Sequence, residues 1–187
     1  LKSTRLRWSL PECERALSRL PDNLRRDLEA GHGKATAEPE FRAFWAGNIL
    51  IALQPERGRP TSREADYHDL SHVPGPDYAA FYLWLRHGAK VDAIIHVGAH
   101  GTLEWLPGKA VALSADCWPE ALTAGVPVIY PFIVNDPGEA AQARRRIGAV
   151  TLGHMPPPLV PASRTGLARL EVLLDEYSTA DGLDPAR

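Results

Sequence analysis

With 187 residues, 44% of them apolar, and a formal charge of −2, the chain is long enough to enclose one sizeable core and carries charge of mixed sign. No basic stripe interleaved with aromatic residues is present, which speaks against a nucleic-acid platform. No apolar run approaches the roughly 18 residues that cross a bilayer, and the N-terminus lacks a signal-peptide pattern, so a soluble cytoplasmic protein without a membrane span is expected.

Cys13 and Cys117 form no CxxC pair, which supports neither a thiolate metal knot nor a disulfide framework. Cys117 reads as a small buried hydrophobe. The chain opens at Leu1 without a methionine and closes on the linker-like Asp-Gly-Leu-Asp-Pro-Ala-Arg187. It is therefore expected to be a piece of a longer polypeptide.

In chain order, Ser9-Leu-Pro-Glu12 has the form of a capping box, and leucines 17, 20, 24 and 28 recur at helical spacing, with Pro21 restarting the helix and Gly31 ending it. Residues 1–40 are thus expected to be an N-terminal helical segment. Gly47 to Leu53 reads as a first buried strand, followed by a long loop from Gln54 to about Gly75 that is rich in proline and glycine. Tyr78, Phe81, Tyr82 and Leu85 keep the spacing of one helix face, closed by Gly88.

Val91 to Ile95 predicts a buried strand, Val111 to Leu113 a short apolar segment, Trp118 to Ala124 a short helix and Val126 to Tyr130 another strand. Asp136-Pro-Gly-Glu139 opens a helix that carries Arg144, Arg145 and Arg146 in its last turn. A strand near Val150–Leu152 and an amphipathic helix through Leu167, Leu170, Leu174 and Tyr177 complete the pattern. The alternation predicts an α/β fold, a mostly parallel sheet with helices on both faces, over residues 41–187.

The most informative stretch is His96-Val-Gly-Ala-His100-Gly-Thr-Leu-Glu104-Trp-Leu-Pro-Gly-Lys109. Two imidazoles and a carboxylate follow a strand and surround Gly98 and Gly101, which let the backbone turn with positive φ and approach a ligand closely. Pro107 limits any helix beginning at Thr102 to about one turn. His96, His100 and Glu104 are therefore expected to converge at the carboxyl edge of the sheet, where α/β folds bind ligands. Neutral imidazole and carboxylate supply both metal ligands and proton acceptors.

Other residues fit the same chemistry. Tyr67-His68-Asp69 adds a third imidazole beside a phenol and a carboxylate in the long loop. Lys109, after Gly108, offers a cation for a substrate carboxylate, as do the three arginines, of which at most one or two can face a site and Arg145 is the candidate. A hydrolase with a His/Glu metal centre lacks a supporting motif, because neither a nucleophile elbow nor a metalloprotease helix is present.

The stretch HVGAHGTLEWLPGK, with YHD before it and YPFIVNDPGEAAQARRR after it, resembles the family of CobN and the magnesium chelatase large (H) chain, and its aerobic cobaltochelatase members most closely. The resemblance runs from about Gly47 to Glu176 and implies a fragment of a much larger subunit that binds a tetrapyrrole and inserts a metal. It implies Co²⁺ as substrate metal, with hydrogenobyrinic acid a,c-diamide as macrocycle in cobalamin biosynthesis, and ATP hydrolysed by partner ATPase-type subunits rather than by this chain. Magnesium insertion into protoporphyrin IX, and a noncatalytic tetrapyrrole-binding or subunit-docking scaffold, are the alternatives. His68, His96, His100 and Glu104 are the positions that match the family's pattern. Activity is expected to need the rest of the parent polypeptide.

Overall fold

A computed structural model of the chain describes residues 4–34, 37–58, 69–98, 101–111, 114–131 and 137–153, together with 169, 172–174, 176 and 177. The chain divides into two compact units, Leu1–His154 and Met155–Arg187. In the second unit, residues 172–174, 176 and 177 are helical, within the span expected for the last amphipathic helix.

The first unit begins with an antiparallel sheet. Strand β1 (Thr4–Arg7) pairs with β2 (Glu40–Ala46), Leu6 opposite Phe41, and β2 pairs with β3 (Ile49–Ala52), Ala43 opposite Ala52. In β2 the alternation places Phe41 and Ala43 inside, while Glu40 and Arg42 face out. Gly47, at φ 65°, occupies the turn between β2 and β3.

Between β1 and β2 run α1 (Leu10–Leu17) and α2 (Asp22–His32). The Ser9 hydroxyl donates to the Glu12 carboxylate at 2.5 Å, so the expected box closes side chain to side chain with no side-chain bond to the backbone. Pro21 caps α2, which runs past Gly31 and ends at Gly33, whose φ is 76°.

Helix α3 (Pro76–His87) lies at the centre. Every side chain from Tyr78 to Leu85 is buried, so the helix is covered on all sides rather than along the single face that the spacing suggests. Phe41 of β2 packs on it, with its ring centroid 5.5 Å from that of Phe81 and 4.8 Å from that of Trp84. Helices α1 and α4 (Trp118–Thr123) also pack against α3.

The second sheet is parallel, in the order β4 (Ile94–Ile95), β5 (Val128–Pro131), β6 (Val150–Leu152). Helix α4 lies between β4 and β5 in the chain, and α5 (Pro137–Ile147) between β5 and β6. On one face Val128 and Tyr130 are buried, and α5 packs against β5 and β6.

The architecture is thus mixed α/β, and it corrects three expectations. The strands form an antiparallel sheet as well as a parallel one, instead of a mostly parallel sheet. The short turn at Gly47 and Asn48 can join only antiparallel neighbours, and it forms the first two residues of the stretch that the sequence suggested as a strand, the rest of which is β3. The N-terminal 40 residues contribute β1 as well as helices, because Leu6 covers the inner face beside Phe41. Helices on both faces of the parallel sheet are also not found among the described residues: Ile95, Val150 and Leu152, on the face opposite Tyr130, are each more than half exposed.

The two faces of the antiparallel sheet should respond differently to truncation. Phe41→Ala, at the junction with α3, is expected to cost about 3–5 kcal/mol in denaturant unfolding, as buried aromatic truncations do. Ile51→Ala, on the exposed face, should cost less than about 1 kcal/mol.

Candidate functional site

The site forms where β4 and β5 end. The His96 backbone N–H donates to the Ile129 carbonyl at 2.8 Å, extending the parallel ladder by one residue. This fixes His96 at the carboxyl end of β4. Its ring stacks on that of Tyr130 from β5, with centroids 4.6 Å apart and planes 22° from parallel.

The Tyr130 hydroxyl donates to Glu104 Oε2 at 2.7 Å. Glu104 lies in a single 3₁₀ turn, Leu103–Trp105, and has no exposed surface. Its other oxygen, Oε1, accepts the Gly101 N–H at 3.2 Å.

Gly101 is required here by space. A β-carbon at 101 would collide with the Tyr130 hydroxyl and would stand 2.9 Å from His96 Cε1 and 3.0 Å from Glu104 Oε2. Three side chains therefore close on one glycine, and His96 and Glu104 flank the same point. The sequence suggested positive φ at Gly98 and Gly101, but in this stretch the described residue that adopts it is Gly108, at φ 151°. What Gly101 supplies is space rather than a left-handed turn.

Burial dominates the electrostatics. It raises the Glu104 carboxyl above its ordinary range, against the opposing bonds from its own backbone N–H, from Tyr130 and from Gly101, and the nearby Glu139 carboxylate adds to the rise. The Tyr130 hydroxyl is pushed well above its usual value by the same burial and by the charge of Glu104. It is therefore a neutral donor at physiological pH.

Arg146 bolts this turn to α5. It is buried, and its guanidinium donates to the carbonyls of Glu104 at 2.6 Å, Leu106 at 2.8 Å and Lys109 at 3.1 Å. Such a fan of bonds uses the planar fork that lysine lacks. Arg144 and Arg145 are exposed, as is the Lys109 side chain. The Lys109 N–H donates to Cys117 Sγ at 3.2 Å, so Cys117, half-buried, serves as an acceptor rather than as a fully buried hydrophobe. At the start of α5, buried Glu139 accepts the Trp105 indole N–H at 2.8 Å.

A second polar network, from other elements, also supports the turn. Thr102 Oγ1 lies 2.8 Å from the Tyr78 hydroxyl and accepts Gln54 Nε2 at 2.8 Å, while the Tyr82 hydroxyl donates to Gln54 Oε1 at 2.8 Å. The turn is thereby tied to α3 and to the chain leaving β3. Reading the sequence for periodicity misses these residues, because Tyr78 and Tyr82 sit at apolar helix positions and Tyr130 in a strand. Their signal is chemical: a buried tyrosine hydroxyl requires a partner.

His100, Tyr67 and His68 lie outside the described residues. Within the long loop, Arg57 is buried and its guanidinium donates to the carbonyls of Asp69 and, at 2.9 Å, of His72. Hydrogen bonds from Ser71 lower the Asp69 carboxyl below its usual range. Among the described residues, no group of three or more His, Cys, Asp or Glu side chains is placed to hold a metal ion.

A family model described as CobN/Magnesium Chelatase matches residues 3–187. The chain belongs to the CobN/magnesium chelatase family. It is 49% identical over 178 residues to the aerobic cobaltochelatase subunit CobN of Pseudomonas aeruginosa, a match that covers 91% of this chain and 14% of that protein. To the large magnesium-chelatase component of Cereibacter sphaeroides it is 32% identical over 169 residues, covering 90% of this chain and 14% of the relative.

Among solved structures, the catalytic subunit of cobaltochelatase from Mycobacterium tuberculosis superposes with a TM-score of 0.72 at 39% identity, covering 97% of this chain and 17% of that one. The chain thus spans about one seventh of the length of these curated relatives.

Two outcomes follow from the geometry. Gly101→Ala should lower the melting temperature by several degrees, because Tyr130 and the sheet behind it cannot retreat without cost.

For Glu104, the folded carboxyl holds its proton more tightly than the unfolded one. Its favourable contribution is full below the ordinary value of about 4.5 and is lost as pH rises through the raised folded value. The stability of Glu104→Gln relative to the wild type should therefore increase as pH rises from about 4 toward neutrality. Denaturant unfolding at a series of pH values measures this, and a difference that stays flat or falls would contradict the assignment.

Proposed function

We propose that this chain carries the metal-insertion site of a cobaltochelatase large subunit, with residues 41–187 holding the chemistry and residues 1–40 supporting them. The observation that carries the reading is the convergence of buried Glu104 and the His96 imidazole on Tyr130 and Gly101 at the carboxyl ends of β4 and β5. In the sequence, His100 directly precedes that glycine.

Inserting a divalent ion into a tetrapyrrole requires three things of a protein. Metal-bound water has to be stripped, the ion held loosely enough to leave, and two protons taken from ring nitrogens that are weak acids. His96 and His100 are proposed as nitrogen ligands to the substrate Co²⁺, completed by Glu104. Such a nitrogen and oxygen set binds without the thiolates that would trap the ion.

Glu104 is also the proposed proton acceptor. A carboxylate kept out of bulk water and raised toward neutrality takes protons better than an exposed glutamate. Lys109 and Arg145, both with exposed side chains, are proposed partners for peripheral carboxylates of the macrocycle, together with Tyr67 and His68.

Cobalt is favoured over magnesium by the higher identity to CobN than to the magnesium-chelatase relative and by the imidazole ligands, since magnesium prefers oxygen. Hydrogenobyrinic acid a,c-diamide is then the proposed macrocycle, in cobalamin biosynthesis. The remainder of the parent polypeptide and separate ATPase-type subunits, which would hydrolyse ATP in the cytoplasm, are the proposed partners.

Glu104→Gln in the assembled chelatase tests the reading. The amide keeps the size of the carboxylate but cannot accept a proton. Cobalt insertion should fall by at least about 100-fold, the usual loss on removing a general base, while macrocycle affinity stays within about twofold. Insertion at the wild-type rate would favour a noncatalytic scaffold. Calorimetric Co²⁺ binding should also be stronger above the titration of the histidines than below it, because only neutral imidazole is a ligand. Unchanged binding in His100→Ala would remove that residue from the ligand set.

A further inference from the structure

We infer that Tyr130 is the positioning residue of this site, holding the carboxylate of Glu104 and the imidazole of His96 at a fixed spacing. The inference rests on the reading of Glu104 as proton acceptor.

Three contacts converge on this side chain. Its hydroxyl donates to Glu104 Oε2 at 2.7 Å, its ring stacks on His96 at 4.6 Å, and its hydroxyl occupies the space that a β-carbon at Gly101 would need. It is 1% exposed and sits on β5, the middle strand of the parallel sheet. A side chain anchored there cannot drift, because β5 is hydrogen-bonded on both sides.

The geometry defines what each part of the tyrosine does. Gly101 N–H holds Oε1 and the hydroxyl holds Oε2, so both carboxylate oxygens are oriented by donors from different elements. Removing the hydroxyl leaves the carboxylate held by backbone N–H groups of its own turn alone, with no tie to the sheet. The ring itself gives His96 a flat surface that sets the plane of the imidazole. Misplacing a reacting group by about 1 Å costs rate far more than it costs substrate binding.

The experiment separates the hydroxyl from the ring. In the complete large subunit with its ATPase partners, Co²⁺ and hydrogenobyrinic acid a,c-diamide, Tyr130→Phe should lower kcat by about 10-fold or more and leave KM for the macrocycle and for Co²⁺ within about twofold. Tyr130→Leu, which also removes the ring, should lower kcat and raise KM for Co²⁺. Site-specific 3,5-difluorotyrosine, which keeps ring and hydroxyl, should retain kcat within about threefold, and it serves as the decisive variant if phenylalanine at 130 impairs folding.

Wild-type kcat in Tyr130→Phe beside an inactive Glu104→Gln would overturn the positioning role and leave the proton-acceptor reading standing. A fully active Glu104→Gln would overturn both. Loss of activity with difluorotyrosine despite normal thermal melting, or equal changes in kcat and KM for Tyr130→Phe, would also contradict the inference.

Discussion

A carboxyl group with no exposed surface is costly to keep in a folded chain, and the architecture around Glu104 answers that cost at each of its oxygens. One oxygen takes a backbone N–H from Gly101 and the other a tyrosine hydroxyl from Tyr130. These bonds do not cancel the burial, and the carboxyl remains above its ordinary range. That residual imbalance is the feature on which the proposed role of Glu104 as proton acceptor rests.

The surrounding elements are arranged to keep the turn at this carboxyl from relaxing. Arg146 holds three of its carbonyls from α5, Trp105 reaches Glu139 on the same helix, and Thr102 ties the turn to Tyr78 and Gln54. The turn is therefore gripped from α3, from α5 and from the end of β3. Helix α3, buried along its length, links the antiparallel sheet and the helices α1 and α4 packed around it. The N-terminal strand and helices thus support the site at one remove, through Phe41 and its contacts with Phe81 and Trp84.

Much of this is legible in the sequence, and for identifiable reasons. The order of glycine, proline and β-branched runs locates β4, β5, β6, α3 and α5, because each is bounded by a strong local signal. The antiparallel sheet is not legible. Glu40–Ala46 mixes charged and aromatic residues on alternate faces, so the strand before the turn at Gly47 carries no apolar run to announce it. In the site, spacing alone brings out His96 and Glu104, and it also names His100, which lies outside the described residues, whereas Tyr130, Arg146 and Gln54 act through contacts between residues far apart in sequence. No periodicity encodes such contacts. Of the three arginines, only the fold picks out Arg146 as the buried one, since consecutive residues of a helix point about 100° apart.

The family match spans residues 3–187 and so includes the turn that carries the buried carboxyl. The proposed chemistry depends on Glu104 being an acid held above its usual range. Carbon-13 NMR of the chain labelled at glutamate carboxyls, with the Glu104 resonance assigned by its loss in Glu104→Gln, measures that state directly. One carboxyl should titrate clearly above the exposed glutamates, and that resonance should be the one missing in the variant. A Glu104 resonance that titrates with or below the others would contradict the proposed chemistry.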